Sequence, residues 1–465
     1  MNELTVIGGG LAGAEAAWQA AEAGLRVTLW EMRPRVPTGA HRTDRLAELV
    51  CSNSLGSALP DRASGILHSE LRALGSILIR CADEARVPAG AALAVDRDLF
   101  AAAATSAIGS HPRIAIRRDE ATDLPAGLAV VAAGPLASPA LAEALARATG
   151  EESLFFYDAI APVVRADTID DAIAFRASRY NREEGGDDYL NCPFTREEYE
   201  RFVAELTAAR RIPLRDFEAD IERGVRAAGP FFEGCLPVEI LARRDPRSLA
   251  FGPMRPVGLT DPRTGRRPWA VVQLRRENRT GDLYNLVGFQ TNLAQDEQAR
   301  VFRMIPGLAR AEFARYGQMH RNTYLNAPRL LRASLQWRGR EDLFIAGQLA
   351  GVEGYAGNIA TGWLAGFNAA RLARGAPPVA PPPETMLGAL CRALAEGNPE
   401  GFQPVKANLG LLPPLAGVPG GRRARAAACA ARARAAMETW LAAMADTAPN
   451  LGARFSDPAA GQEDR

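Results

Sequence analysis

No C-x-x-C pair occurs in this chain. Its six cysteines, Cys51, Cys81, Cys192, Cys235, Cys391 and Cys429, are widely scattered. That scatter argues against a zinc site and a disulfide framework and points to a reducing, cytoplasmic setting in which thiols stay available for chemistry. Long apolar runs are also missing: the longest are short or broken by glycine, well under the ~20 residues a membrane span needs, so no membrane association is expected. The first residues enter a strand without a basic leader, and no export signal is expected. Nor does charge of one sign dominate. Against 55 basic residues stand 54 acidic ones, a formal net charge of +1, so any nucleic-acid surface has to be a local patch. No solenoid-like internal repeat is visible. What remains is a 465-residue chain, 47% hydrophobic and 23% charged, able to bury a large core and to divide into two or three domains.

The strongest local signal is "ELTVIGGGLAGAEAAWQAAEAGLRVTLWEMRP". Leu4 to Ile7 reads as a buried parallel strand, Gly8, Gly10 and Gly13 form G-x-G-x-x-G, and Ala12 to Ala23 reads as an alanine-rich helix stopped by Gly24. A second strand, Arg26 to Trp30, ends at Glu31. Glycines permit the tight turn and close backbone approach, the helix N-terminus faces a pyrophosphate, and the acid after the second strand can bind ribose hydroxyls. The dinucleotide contacts expected here are Gly8, Gly9, Gly10, Leu11, Ala12, Gly13 and Glu31.

Near the other end, "DLFIAGQLAGVEGYAGNIATGWLAGFNAARLARG" holds a strand (Leu343 to Ala346), a glycine-rich loop and a helix from about Asn358 to Arg374. A second helix N-terminus facing the nucleotide favours FAD over NAD and adds Gly347, Gln348 and Gly354 to the cofactor set. "GLAVVAAGP" (Gly127 to Pro135) has the form of a strand and small-residue turn returning to the nucleotide domain. The fold expected is α/β: a discontinuous Rossmann-like FAD-binding domain, residues 1–95 and 325–465, interrupted by an α+β substrate domain at 96–324. Within the insertion, "WAVVQLRRENRTGDLYNLVGFQT" alternates β-branched and polar residues as strands do. A proline-rich linker near 376–383 leads to a final helical section, whose Arg422, Arg423, Arg425, Arg432 and Arg434 are expected on a solvated face.

Nine segments carry a resemblance beyond this layout: "GGGLAGAEAAW", "AHRTDRLAELVCSNSL", "VPAGAALAVDRDLF", "FFEGCLPVE", "FGPMRPVGLTDPRTGRRP", "YNLVGFQT", "MHRNTYLNAP", "GQLAGVEGY" and "NLGLLPPL". In this order they resemble the folate- and FAD-dependent tRNA (uracil-5-)-methyltransferases, the TrmFO family. The resemblance implies methylation of C5 of a uridine, in that family at T-loop position 54 of tRNA. It implies carbon from 5,10-methylenetetrahydrofolate and electrons from reduced FAD, itself reduced by NADPH or NADH. It also implies that Cys235, in "FEGCLPVE", is the nucleophile that adds to uracil C6, and that Cys51, in "LVCSNS", is the general base near the flavin. The chain departs from the family pattern at Gly56 and around Gly357 and Asn358. Two other readings stay open: the same chemistry on a ribosomal RNA uridine, and a non-methylating FAD-dependent tRNA-modification protein. No obligate protein partner is inferred.

The chemistry makes the two thiols intelligible. C5 of uracil is a poor nucleophile, so a thiolate must first add to C6; a base then removes the C5 proton, and a hydride reduces the resulting exocyclic methylene. Cys192 is assigned to packing, and Cys81, Cys391 and Cys429 sit in alanine-rich or helical settings that suit buried small hydrophobes. His41, Arg42, His320 and Arg321 are candidates for the flavin or folate pocket, and Arg255, Arg263, Arg266 and Arg267 for RNA phosphates. The target base, stacked within folded tRNA, has to be extruded.

Overall fold

The structure, a computed structural model, describes residues 2–150, 154–179, 188–212, 236–415, 417 and 421–445. Strand β1 (Glu3–Ile7) turns through Gly8 into helix α1 (Leu11–Glu22), and β2 (Arg26–Trp30) returns parallel to β1. After this unit come a small antiparallel sheet of β3 (Ser54–Ser57), β4 (Arg86–Val87) and β5 (Ala92–Val95), and helices α2 (Ala63–Ala73), α3 (Ile77–Glu84) and α4 (Arg97–Ser110). Strands β6 (Ile114–Arg117) and β7 (Ala129–Val131) then join the main sheet, whose order is Gln336–Trp337, Arg340–Ile345, β7, β1, β2, β6. Its strands pair in parallel except at the Gln336–Trp337 edge.

The chain leaves this layer along Leu154–Ala159 and returns along Met319–Tyr324, two strands paired antiparallel. Between them lies a second, wholly antiparallel sheet in the order Phe175–Arg176, Tyr189–Phe194, Ala270–Arg276, Leu283–Leu286, Val163–Arg165, Phe313–Arg315. Helix Arg196–Ala208 packs Tyr199, Phe202, Val203 and Leu206 into its core. Thr195 and Glu198 close its N-terminus as a capping box, satisfying two of the otherwise unpaired amides. The α+β insertion is therefore present, but its start is not at residue 96. Helix α4 and strands β6 and β7 belong to the nucleotide layer, because β2 hydrogen-bonds β6 and β1 hydrogen-bonds β7.

Helix Tyr355–Ala373 lies against α1, and small residues set the distance. A Cβ on Gly362 would stand 2.2 Å from the Ala12 carbonyl oxygen, and one on Gly366 2.3 Å from that of Ala16; larger residues would force the helices apart. The final section returns to the same core. Helix Met386–Glu396 buries most of its length, and Arg422–Ala445 inserts Ala433, Met437, Trp440 and Leu441. The arginine-rich helix is thus one-sided rather than solvated all round: Arg423, Arg425 and Arg434 are exposed, while Trp440 meets Trp363 edge-on. Among the described residues, no helix is long and apolar enough to cross a membrane.

A buried carboxyl ties this last section down. Glu70 on α2 accepts from the Met386 and Leu387 amides, at 2.6 and 2.9 Å, at the start of helix Met386–Glu396. Burial pushes its pKa up to about 8, against the lowering effect of those amides. An acid whose folded pKa is raised lends stability that is complete below its unfolded value, near 4.5, and is lost as pH rises through about 8. We expect the melting temperature to fall between pH 5.5 and 8.5, and Glu70→Gln to flatten that fall. Scanning calorimetry across pH checks this; Glu15 and Glu239, also raised by burial, act equally in both proteins. A variant profile parallel to the wild type would refute the assignment.

Candidate active site

The glycine turn after β1 opens a cleft, a concave site of the kind small molecules occupy. Gly8 has φ +99°, and a Cβ there would stand 2.4 Å from the Ala132 carbonyl oxygen, so this position takes only glycine. A Cβ on Gly10, in contrast, would meet nothing within 4 Å, so the start of α1 faces open space. First-turn amides of a helix have no intrahelical partner, and α1 has no acid in its first turn. That combination fits a dinucleotide pyrophosphate. Gly8, Gly9, Gly10, Leu11, Ala12, Glu31, Gly347 and Gln348 all line this cleft. Gly13 does not: a Cβ there would lie 1.8 Å from the Gly8 carbonyl oxygen, so it lets α1 pack on the turn.

Glu31 is more committed than its place after β2 suggests. Its two carboxylate oxygens accept from the Gly9 amide at 3.0 Å, the Arg33 amide at 3.0 Å, Arg33 Nε at 2.9 Å and Arg33 Nη2 at 3.1 Å. Burial works to raise its pKa, but the hydrogen bonds and charge of Arg33 win and hold it below the usual carboxylate value. With four acceptor directions taken, Glu31 buttresses the glycine turn, and a ribose hydroxyl has to share or displace an Arg33 contact.

A second cleft continues from the first. Val50, Pro135, Leu136, Gln348, Tyr355 and Asn358 line both. Beyond them stand Cys51, Ser52, Arg62, Gln290, Gly354 and Lys406, with Gly56 and Gly357 also in its wall. Gly56 and Gly357, where departures from the family pattern are expected from the sequence, therefore lie in this wall, and Asn358, expected with them, lies at the junction. His41 lines the first cleft, whereas His320 and Arg321 fall outside the residues whose side chains are described. Cys235 also lies outside the described residues. Cys192 is fully buried in the second core, its thiol pushed up to about 12 by burial, as a packing role requires.

The Cys51 loop is held from both layers. Tyr355 Oη accepts from the Cys51 and Ser52 amides, at 2.8 and 3.0 Å. Burial first, and the nearby Cys51 second, push the Tyr355 phenol above its ordinary value, so it stays neutral. Arg97 donates to the Leu49 carbonyl at 2.7 Å and the Cys51 carbonyl at 3.3 Å. From the inserted sheet, Arg275 donates to Asn53 Oδ1 at 2.9 Å and Ser52 Oγ at 2.8 Å. Asn53 in turn donates to the Val95 and Arg276 carbonyls, each at 3.0 Å. Glu277 then pairs with both Arg97 and Arg315. Desolvation draws the Arg315 pKa down to about 10.

A signal in the composition finds a further residue here. Of the 55 basic residues 54 are arginine, and the single lysine is Lys406. It extends the two-residue strand Val405–Lys406, which pairs in parallel with Val352–Glu353 and places Lys406 opposite Glu353 in the second cleft.

The chain is similar to known proteins over most of its length. The family model described as Glucose inhibited division protein A matches residues 3–377. A methylenetetrahydrofolate–tRNA-(uracil-5-)-methyltransferase TrmFO from Thermosynechococcus vestitus is 54% identical over 461 residues, spanning 99% of both chains. The chain belongs to the TrmFO family. A TrmFO relative from Geobacter sulfurreducens is 54% identical over 440 residues, 94% of this chain and 99% of its own. One from a Synechococcus strain is 57% identical over 414 residues, covering 89% and 88%. Aquifex aeolicus GidA superposes with a TM-score of 0.65 at 15% identity, over 96% of this chain and 77% of that one, which shows a shared fold. Within this TrmFO chain, "CSNS" and the inserted strand Ala270–Arg276 form one hydrogen-bonded unit.

That unit is testable. Asn53→Ala leaves the Arg275 guanidinium short of a partner, a loss of about 1.5–3 kcal/mol for a charged hydrogen bond. The melting temperature should fall in Asn53→Ala and in Arg275→Ala, and the double variant should lose clearly less than the two falls combined. Cys51 alkylation by iodoacetamide, followed by peptide mass spectrometry, should accelerate in each. Additive losses with unchanged alkylation would show that the two layers are not coupled through this loop.

Proposed function

We infer that this chain transfers a one-carbon unit from 5,10-methylenetetrahydrofolate to C5 of a tRNA uridine, forming 5-methyluridine at T-loop position 54. The observation that carries this reading is identity of 54% to a TrmFO methyltransferase over 99% of both chains. Those relatives are named for tRNA, so the ribosomal RNA reading is set aside. The non-methylating reading falls too, since relatives at more than half identity are named as methyltransferases. When bound, FAD supplies the electrons that take the one-carbon unit from the methylene to the methyl level, and NADPH or NADH supplies them to FAD. Gly8, Gly9, Gly10, Leu11, Ala12, Glu31, Gly347 and Gln348 are the residues that hold it, and Gly354 flanks the continuing cleft.

In this reading Cys235 adds as thiolate to uracil C6, and Cys51 takes the proton from C5. Support for Cys51 is its place in the cleft and the loop contacts of Tyr355, Arg97 and Arg275. Support for Cys235 comes from the chain that follows it. Val238 donates to the carbonyl of Gln290, a cleft residue, at 2.7 Å, and buried Glu239 accepts from the Thr291 hydroxyl and the Asn292 amide. Cysteines Cys81, Cys192 and Cys391 are buried and outside any disulfide, which supports a reducing, cytoplasmic setting.

For the RNA, a broad groove on the inserted domain joins Arg196, Arg247, Arg255, Arg263, Arg266 and Arg267. Trp269 and Phe251 lie in it, exposed by 40% and 72%, with Arg196 and Arg247 over their rings. Such cations beside exposed rings suit phosphates and splayed bases. Arg263 pairs with Asp261 at 2.7 Å, so Arg266 and Arg267 are the better phosphate contacts. Strand Ala270–Arg276 runs from this groove to Arg275 in the reaction cleft, a span of about 20 Å at ~3.3 Å per residue.

Two measurements test these assignments. Incubated with tRNA, methylenetetrahydrofolate and NADPH, the wild type should produce 5-methyluridine by nuclease digestion and mass spectrometry. Cys235→Ala and Cys51→Ala should each lower the rate at least ~100-fold, and only Cys235→Ala should also abolish the covalent adduct with a 5-fluorouridine stem-loop. An adduct that survives Cys235→Ala but not Cys51→Ala would invert the two roles. Separately, Arg266→Glu with Arg267→Glu should weaken tRNA binding at least ~10-fold and flatten its salt dependence, leaving flavin content unchanged. Unaltered filter-binding affinity would remove the groove from the RNA path.

A further inference from the structure

Among the described residues five large hydrophobic side chains are exposed, and three of them, Phe251, Val257 and Trp269, line the arginine-rich groove of the inserted domain. Of the six tryptophans, all among the described residues, Trp269 alone is exposed. An indole left in water forfeits apolar burial, and a gathering of such side chains marks an interaction site. The ring stands on a fixed support: the Trp269 amide donates to the Phe194 carbonyl at 3.0 Å, one step beyond the pairing of Phe194 with Ala270. Next to the groove lies a second hollow, and Arg196, Arg247 and Trp269 line both. Its far wall is one face of helix Arg196–Ala208, where Glu200 and Ala204 follow Arg196 at helical spacing above buried Val203. This hollow does not suit a phosphate. Glu200 puts a carboxylate in its wall, paired with Arg196 at 2.8 Å, and the Arg196 guanidinium lies 5.2 Å from the Trp269 ring centroid. The two charges offset each other, leaving a ring, an apolar surface and hydrogen-bond acceptors. Those are the needs of a nucleobase, whose face stacks on an aromatic ring and whose amino group donates to a carboxylate.

We propose that the hollow beside Trp269 binds a second, non-target base of the tRNA, stacked on the indole with its amino group on Glu200. This deepens the function proposed above and rests on it for the identity of the RNA. Trp269 directly precedes strand Ala270–Arg276, and Arg275 near the far end of that strand lines the second cleft. Six residues of extended chain separate the two side chains by about 20 Å, whereas stacked nucleotides of one strand rise only ~3.4 Å each. A base on Trp269 and a base in the cleft are therefore not stacked neighbours. Holding both keeps the RNA loop open, and the stacking gained on Trp269 offsets part of the stacking lost when the target uridine is extruded. The groove arginines bind the backbone between the two points.

Stacking and charge separate in their response to salt. Trp269→Ala should weaken tRNA binding at least ~10-fold with the salt slope, flavin content and melting temperature unchanged, and Trp269→Phe should return binding to within threefold of the wild type. Ala204→Leu, which fills the hollow from the exposed side of the helix, should weaken binding as far, and it carries the test if Trp269→Ala melts lower. A set of tRNAs, each made abasic at one position of the loops that meet at the elbow, then identifies the base. At one non-target position the abasic change should cost the wild type at least ~10-fold and Trp269→Ala less than threefold. Losses that add at every position would overturn the proposal, because no base would then depend on the ring. Affinity within threefold of the wild type in Ala204→Leu, or a smaller salt slope in Trp269→Ala, would overturn it as well. Failure of the proposed function is seen apart from this: a wild type that forms no 5-methyluridine, yet shows the abasic coupling, loses the methylation and keeps the site.

Discussion

The wall of the second cleft depends on a buried polar junction between two separately built layers. Arg275 and Glu277, at the end of an inserted strand, hold Asn53, Ser52 and Arg97 of the nucleotide layer. Arg315 closes the set from the edge of the inserted sheet. Such a cluster is not a cheap source of stability, since desolvating its charges offsets much of their attraction. Its value is directional. Removing one member strands the others, which makes one relative placement of the layers far better than its neighbours. The short loop that carries Cys51 is given a fixed position by this junction.

The nucleotide side was legible in the sequence because its demands are local. Gly8 needs a positive φ, α1 needs an open first turn, and Gly347 with Gln348 begins the second wall; each fits in a few consecutive residues. The hairpin of Ala270–Arg276 and Leu283–Leu286 was legible from alternation for the same reason. The limit of the insertion was not. Helix α4 and the four-residue strand β6 carry no motif that marks them as part of the nucleotide layer, whereas "GLAVVAAGP" already pointed β7 there. The Arg275–Asn53 contact spans 222 residues, beyond the reach of any spacing rule.

Glu31 shows how an expected role is refined by packing. An acid after the second strand of a nucleotide fold reads as a ribose ligand. Here the same carboxylate is enclosed by Arg33 and the Gly9 amide, so it also stiffens the turn against which a pyrophosphate would rest. Pre-organised amides lose less freedom on binding than a mobile loop. One side chain thereby links the end of β2 to the glycine turn after β1.

The pairing of β7 with Arg340–Ile345 sets Ala129 beside Leu343. More than two hundred residues separate these neighbours, so during synthesis the nucleotide sheet lacks an interior strand until the whole insertion has emerged. Closing a connection of that length is slow for a flexible chain. It becomes tractable when the insertion folds first and its paired entry and exit strands, Leu154–Ala159 and Met319–Tyr324, bring the two ends together. The inserted domain is then a folding clamp for the sheet that interrupts itself to make room for it.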